Sequence, residues 1–403
     1  MLTNDFLGNQ VSRLGFGCMR YPLLENGDID VAQTERMIRE AKAAGVNYFD
    51  TAWPYMNGQS ETILGNVLKE YPRDSFFLVD KYPGHQIAEE YHPEDIFEKQ
   101  LKKCQVDYFD YYLLHNVYEE SYPTYVSDKW HIVDYFLEQK RLGRIKHLGF
   151  STHAQNSTLL KFLDHFPDGT FDFCQMQLNY VDWTLQDAEE KYRILTKRGL
   201  PIVVMEGLRG GRLASYEPEE EARLKALRPE ESPAAWAFRW LMEKENVKVI
   251  LSGMSAEEQV RDNLKIFSEE KPLNAEEHAL LEEFSKKFQN TVPCTGCRYC
   301  TSECPLQLDI PRFMTAYNDI CFNKNFTLRM SIDSLPEEKQ PAACIGCRSC
   351  THLCPQNIDI PTVLEDLTAR LNTLPSWAQM CKERAEIEAA AAAEEAKAEQ
   401  ANS

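Results

Sequence analysis

The sequence predicts an α/β protein: a (β/α)8 TIM barrel followed by a smaller, mainly helical domain. Short β-rich runs alternate with amphipathic helical patterns over roughly the first 270 residues, and alternation of that kind builds a parallel sheet. There are eight such runs, and no G-x-G-x-x-G follows the first of them, which favours a closed barrel over an open doubly wound sheet. Beyond the last run, the chain carries two copies of one cysteine-rich motif, fifty residues apart.

The predicted strands are Leu14–Met19, Val46–Asp50, Phe76–Lys81, Tyr108–His115, Ile145–Ser151, Phe171–Leu178, Pro201–Glu206 and Val247–Gly253. Between them lie helical patterns such as Val31–Ala44, Glu61–Lys69, Asp95–Cys104, Tyr135–Leu142, Leu185–Arg198 and Pro233–Glu243, with apolar residues three or four apart. Pro272 and Asn274 punctuate the chain before a further helix, Ala275 to Phe288. The domains expected are a barrel over 1–272, a linker helix over 273–292, a cysteine-rich domain over 293–375 and an Ala/Glu-rich solvated tail over 376–403. The linker helix is long enough to return the chain towards the barrel mouth.

The 403 residues fit one large domain plus a smaller one. A net charge of −19 disfavours nucleic acid as a partner. The opening residues lack a basic segment and an apolar run, and no stretch approaches membrane-spanning length, so a cytoplasmic protein without a membrane partner is expected.

The motifs are Cys294-x2-Cys297-x2-Cys300-x3-Cys304-Pro305 and Cys344-x2-Cys347-x2-Cys350-x3-Cys354-Pro355. This spacing holds [4Fe–4S] clusters, because a tight turn with a thiolate at every third position presents three ligands on one side of a cube. In two-cluster ferredoxins the cysteine before proline reaches the other cube. That rule pairs Cys354 with Cys294, Cys297 and Cys300, and Cys304 with Cys344, Cys347 and Cys350. Zinc usually takes two separated Cys-x-x-Cys pairs, and disulfides need an oxidising compartment. Helical patterns at Pro311–Phe322, after Thr327 and at Pro361–Leu371 point to the helical kind of two-cluster ferredoxin domain.

On a barrel, functional side chains gather at the C-terminal strand ends. There the second strand runs into Asp50-Thr51-Ala52-Trp53-Pro54-Tyr55, the third ends in Asp80-Lys81 and the fourth in His115-Asn116. A tyrosine beside a lysine and an aspartate makes a proton donor, the ammonium being expected to lower a phenol pKa that starts near about 10. Cys18, at the end of the first strand, reads as a buried inert thiol, and Cys104, Cys174, Cys321 and Cys381 as structural.

From about Leu14 to Leu264 the sequence resembles the aldo/keto reductase family, on Phe49 to Gly65 (F-D-T-A…Y…E-x-x-L-G), Lys81, the Leu-Leu-His ending at His115, and Gly143 to Ser151. It resembles the branch with a C-terminal 4Fe–4S dicluster domain. The resemblance implies Tyr55 as general acid, Lys81 and Asp50 as its tuning pair, and His115 as the group that positions a substrate carbonyl. Ser151 and Gln175 would hold the nicotinamide carboxamide, Leu208, Gly210 and Arg212 the pyrophosphate, and Gln259 with Asn263 the adenine. The family's asparagine after the serine is Thr152 here, its aromatic residue under the nicotinamide gives way around Met205-Glu206, and its basic 2′-phosphate positions read Gly253 and Gln259. NADP and NAD both stay open.

Three readings follow. The barrel reduces or oxidises a small-molecule carbonyl or activated C=C group with NAD(P)H while two [4Fe–4S] clusters exchange electrons with a redox partner protein; the clusters are purely structural; or the chain is an electron carrier or redox sensor whose barrel is a docking module.

Overall fold

The computed structural model describes residues 1–84, 92–119, 121–287, 291–292, 294, 299–322, 326–352, 354 and 358–374. Cys297, Cys381 and the expected tail 376–403 lie outside them. The chain divides into two compact units, Met1–Glu282 and Glu283–Ser403.

The first unit opens with an antiparallel hairpin, β1 (Thr3–Phe6) and β2 (Asn9–Ser12). Leu7 at φ 55° and Gly8 at φ 83° make its two-residue turn, a conformation that glycine adopts without a Cβ penalty. Eight parallel strands then form the barrel: β3 (Leu14–Gly17), β4 (Tyr48–Asp50), β5 (Phe77–Tyr82), β6 (Phe109–Val117), β7 (Ile145–Thr152), β8 (Phe173–Gln177), β9 (Ile202–Met205) and β10 (Val247–Ser252). Closure comes from β10, which pairs with both β9 and β3. Buried on both faces, these strands read as near-continuous apolar runs, which is why each predicted run falls on a strand.

The hairpin was not among the expected elements, and it seals the N-terminal end of the barrel. Phe6 is fully buried and stacks on Tyr111 of β6 at 4.7 Å with a 2° interplanar angle, while Phe173 of β8 meets it edge-on at 5.5 Å. Asn4 Nδ2 donates to Lys248 O at 2.9 Å, and Ser12 N donates to Asn47 Oδ1 at 2.7 Å, so both hairpin strands are tied to strand beginnings. Higher up, Gly65 lets the helix Ser60–Leu68 approach the helix Pro93–Cys104: a Cβ there would lie 2.7 Å from the Lys103 and Cys104 carbonyl oxygens.

The helix Ala275–Lys287 belongs, up to Glu282, to the compact barrel unit, ten residues past the expected barrel end. Leu280 and Leu281 are buried, and Glu277 pairs with Arg228 at 2.6 Å, which ties the helix to the barrel.

Among its described residues the second unit has helices joined by loops and no strand. Ile310–Phe322 and Ile360–Asn372 are its long helices, each following one cysteine motif. The internal repeat is carried into the core: Leu308 and Ile310 of the first copy and Ile358 and Ile360 of the second are all buried, as are Cys300 and Cys350. Tyr317 and Asp366 join the two helices by a 2.9 Å hydrogen bond.

Candidate functional site

Asp50 ends β4, Lys81 lies on β5 and His115 on β6, so three neighbouring strands deliver their side chains to one end of the barrel. Tyr55 arrives from the loop after β4, where it opens the 3-10 turn Tyr55–Gly58. Lys81 Nζ lies 2.6 Å from Asp50 Oδ1 and donates to Thr51 O at 2.7 Å; Lys81 is fully buried. The ammonium sits 4.8 Å from the centre of the Tyr55 ring, and the His115 ring meets Tyr55 edge-on at 5.7 Å. The structure brings all four predicted catalytic side chains together.

Burial works against the Lys81 ammonium, but the negative charge of Asp50, joined by that of Tyr55 when it ionises, outweighs it and lifts the pKa above the ordinary lysine value. Asp50 moves up from the usual carboxylate range because burial outweighs the pull of Lys81. Tyr55 departs from the expectation of a lowered pKa. Its pKa is raised, because burial costs the phenolate more than Lys81 returns.

Side chains outside the predicted set hold this group in place. Lys103, on the helix Pro93–Cys104, sits 3.9 Å from the centre of the Trp53 ring and donates to Gly58 O at 3.2 Å and to the buried Glu61 at 2.7 Å. It pins both ends of the loop that carries Tyr55. Gln100, one turn earlier, donates to Asp80 Oδ1 at 2.8 Å and to Lys81 O at 3.0 Å. Tyr125 donates to His115 O at 2.5 Å. The sequence carries no signal for these roles, because Gln100 and Lys103 read as polar positions on the solvated side of an amphipathic helix.

Ser151 and Gln175 are partners in the β7–β8 register. Ser151 Oγ accepts from Asn116 N at 2.8 Å. Gln175 Oε1 is buried with no hydrogen-bond partner among the described residues, so this strand pair fits a ligand that brings an N–H, as a nicotinamide carboxamide does. Thr152 ties β7 to β6 through Val117 O at 2.7 Å. Met205 Sδ lies 3.9 Å from Gln175 Nε2.

After β9, Gly210 at φ 71° and Gly211 at φ 98° follow Arg209 at φ 47°, a run of left-handed backbone of the kind that forms anion-binding concavities. Arg209 is anchored to Asp182 at 3.2 Å. Burial, and then Arg209, hold the Arg212 pKa below its ordinary value. Gln259 and Asn263 sit on the helix Glu257–Ile266 with different partners: Gln259 Oε1 accepts from Ser255 N at 2.8 Å, whereas the buried Asn263 donates to Ser252 Oγ at 2.9 Å. Cys18 is fully buried, which pushes its thiol up to about 12.

In the second unit, Cys304 lines one pocket together with Cys344, Cys347 and Cys350, between apolar walls that include Leu308 and Leu364. Leu308 N donates to Cys304 Sγ at 3.5 Å. Among the described residues, these four cysteines line one pocket and together offer the soft thiolate donors that a cluster needs. That donor set fits an iron–sulfur cube. Cys294, Cys300 and Cys354 are likewise free of disulfides.

Comparison with known proteins agrees with both halves. Residues 13–286 match the aldo/keto reductase family, and residues 293–359 match a 4Fe-4S dicluster domain. An NADH-specific methylglyoxal reductase of Escherichia coli (strain K12) is 26% identical over 282 residues, spanning 59% of this chain and 84% of that protein. L-Galactose dehydrogenase of Arabidopsis thaliana is 26% identical over 302 residues, 68% of this chain and 90% of the relative. Among solved structures, an aldo-keto reductase from Bacillus halodurans in its holo form is 25% identical, with a TM-score of 0.54 over 68% of this chain and 93% of its own. A Klebsiella pneumoniae aldo-keto reductase in complex with NADPH shares the fold at 20% identity and a TM-score of 0.58, over 71% of this chain and 96% of its own. With its barrel matched from strand to strand and its cysteine motifs in the second unit, the chain belongs to the aldo/keto reductase family of oxidoreductases and continues into a 4Fe–4S dicluster domain.

Proposed function

We propose that the protein catalyses NAD(P)H-linked reduction of a small-molecule carbonyl, or the reverse oxidation, and holds two [4Fe–4S] clusters that exchange electrons with a redox partner. The observation that carries the reading is the buried 2.6 Å pair of Lys81 and Asp50 set against Tyr55, with His115 at the ring edge.

Bound reduced nicotinamide supplies hydride to the carbonyl carbon; Ser151, Gln175 and the backbone around Gly210 are the groups that would hold the dinucleotide. His115 orients the carbonyl oxygen towards Tyr55. Tyr55 then gives that oxygen its phenolic proton, and the alkoxide charge never builds up in a poorly solvated site. The phenolate left behind faces the Lys81 ammonium, whose charge Asp50 maintains. A proton donor held in this way contributes on the order of 10²–10⁴ in rate.

In the second unit the proposed ligand sets are Cys294, Cys297, Cys300 and Cys354 for one cluster, and Cys344, Cys347, Cys350 and Cys304 for the other. The pocket shared by Cys304 and the second motif supports the crossing. Hydride carries two electrons and a cube accepts one, so exchange with a one-electron partner protein suits the clusters.

Replacing Tyr55 by Phe tests the barrel chemistry. Carbonyl turnover is expected to fall by at least two orders of magnitude with cluster absorbance unchanged. Turnover retained in Tyr55→Phe would remove the tyrosine from the acid role.

A further inference from the structure

We propose that Asp80 is a positioning residue that works as a neutral acid: it carries a proton shared with Glu61, and the bond so formed clamps the helix that follows Tyr55 to the strand that carries Lys81. The inference rests on the function proposed above and assigns work to two carboxyl groups that the reaction itself does not use. Glu61 stands in the first turn of the helix Ser60–Leu68, just after the turn that Tyr55 opens, and Asp80 precedes Lys81 on β5. Both are fully buried, and each is a hydrogen-bonding neighbour of the other. Ionised carboxylates are acceptors only, so that bond needs a proton between them. Glu61 Oε2 takes the Lys103 ammonium at 2.7 Å, while its Oε1 is buried with no donor among the described residues. Asp80 Oδ1 accepts from Lys81 N and from Gln100 Nε2, both at 2.8 Å, which leaves Oδ2, 3.7 Å from Cys104 Sγ, to bear the proton.

The charges around the pair agree. Among the described residues three buried acids, Asp50, Glu61 and Asp80, meet two ammonium groups, Lys81 and Lys103. Cys18, Cys104 and Tyr112, the other titratable neighbours, are driven by burial towards their neutral forms. A buried charge without a counter-charge is strongly disfavoured, so one of the three acids holds a proton. Asp50 has Lys81 at 2.6 Å and Glu61 has Lys103 at 2.7 Å; Asp80 is the one left over. Burial, and then the charge of Glu61, hold its pKa well above the usual carboxylate range.

The test compares Asp80→Asn and Asp80→Ala with the wild type, all as anaerobic, cluster-replete protein, with near-ultraviolet circular dichroism to check the fold. Asparagine keeps the shape and neutrality of the acid and a donor for Glu61, whereas alanine leaves Lys81 N and Gln100 without an acceptor. In the infrared, the wild type at neutral pH should show the carbonyl absorption of a buried protonated carboxyl group, and Asp80→Asn should lose it. Turnover of a panel of small aldehydes and ketones with NADH and NADPH should fall roughly tenfold in kcat for Asp80→Ala with KM little changed, and Asp80→Asn should recover most of that loss. An infrared carboxyl absorption that is the same in the wild type and in Asp80→Asn overturns the proposal. So does an Asp80→Asn variant as impaired as Asp80→Ala, because the strand would then need the charge rather than the neutral acid. A wild type that turns over no member of the panel counts against the function proposed above, and the infrared comparison still decides the proton on Asp80, so the two failures are told apart.

Discussion

Lys81 Nζ stands 2.6 Å from Asp50 Oδ1 on the adjacent strand, with both side chains withdrawn from solvent. Strand register makes the pair: Asp50 aligns with Val79, two residues before Lys81 on the same face. Each charge is tolerated only because the other is there.

Lys81→Met leaves the Asp50 carboxylate buried without its counter-ion. The barrel should lose about 3–5 kcal/mol at neutral pH, the usual result of removing one partner of a buried pair. Adding Asp50→Asn should return much of that stability without returning turnover. Denaturant unfolding followed by aromatic circular dichroism checks this; a double variant no more stable than Lys81→Met would disprove the pairing account.

The raised Tyr55 pKa fixes the pH dependence. Carbonyl reduction needs the protonated phenol, so its rate is fully present below the Tyr55 pKa and is lost as pH rises through it. With that pKa above the ordinary phenol value of about 10, reduction should stay level from neutral pH to about 9. Alcohol oxidation, which needs the phenolate, should rise over the alkaline range. A reduction profile that declines between pH 7 and 8 would assign proton donation to another group.

Gln175→Leu should separate binding from stability. The substitution removes a buried acceptor that has no donor of its own, so the unfolding midpoint should hold or increase. Dinucleotide affinity should fall about tenfold, the loss of one good hydrogen bond. Equilibrium titration beside thermal unfolding measures both, and unchanged affinity would remove Gln175 from the nicotinamide site.

Cys304→Ser should cost the cluster seated in the second motif, although Cys304 belongs to the first. Cys354→Ser should do the reverse. EPR of the dithionite-reduced variants distinguishes the two centres; each variant losing the cluster of its own motif would refute the crossed ligand sets.

The barrel was legible because parallel strands sealed on both faces cannot disguise their apolar runs, and the meeting of Asp50, Tyr55, Lys81 and His115 because neighbouring strands bring the side chains at their ends together. Less could be read where tertiary packing decides. Thr3–Ser12 offers two short strands joined by Leu7-Gly8 in place of the Asn-Gly that marks a hairpin. The direction of the Tyr55 shift depends on how far the loop at Pro54 sinks, and one sequence could not weigh that burial against the Lys81 charge. Gln100 and Lys103 look like solvated helix residues until the helix is docked.

The hairpin also changes where the domain begins. The family match starts at Arg13, yet Phe6 and Asn4 reach into the barrel floor from before it. A truncated chain cut at Arg13 would leave Tyr111 and Phe173 facing water across an open base, so a fragment drawn to the family boundary would be a leaky, aggregation-prone version of the enzyme.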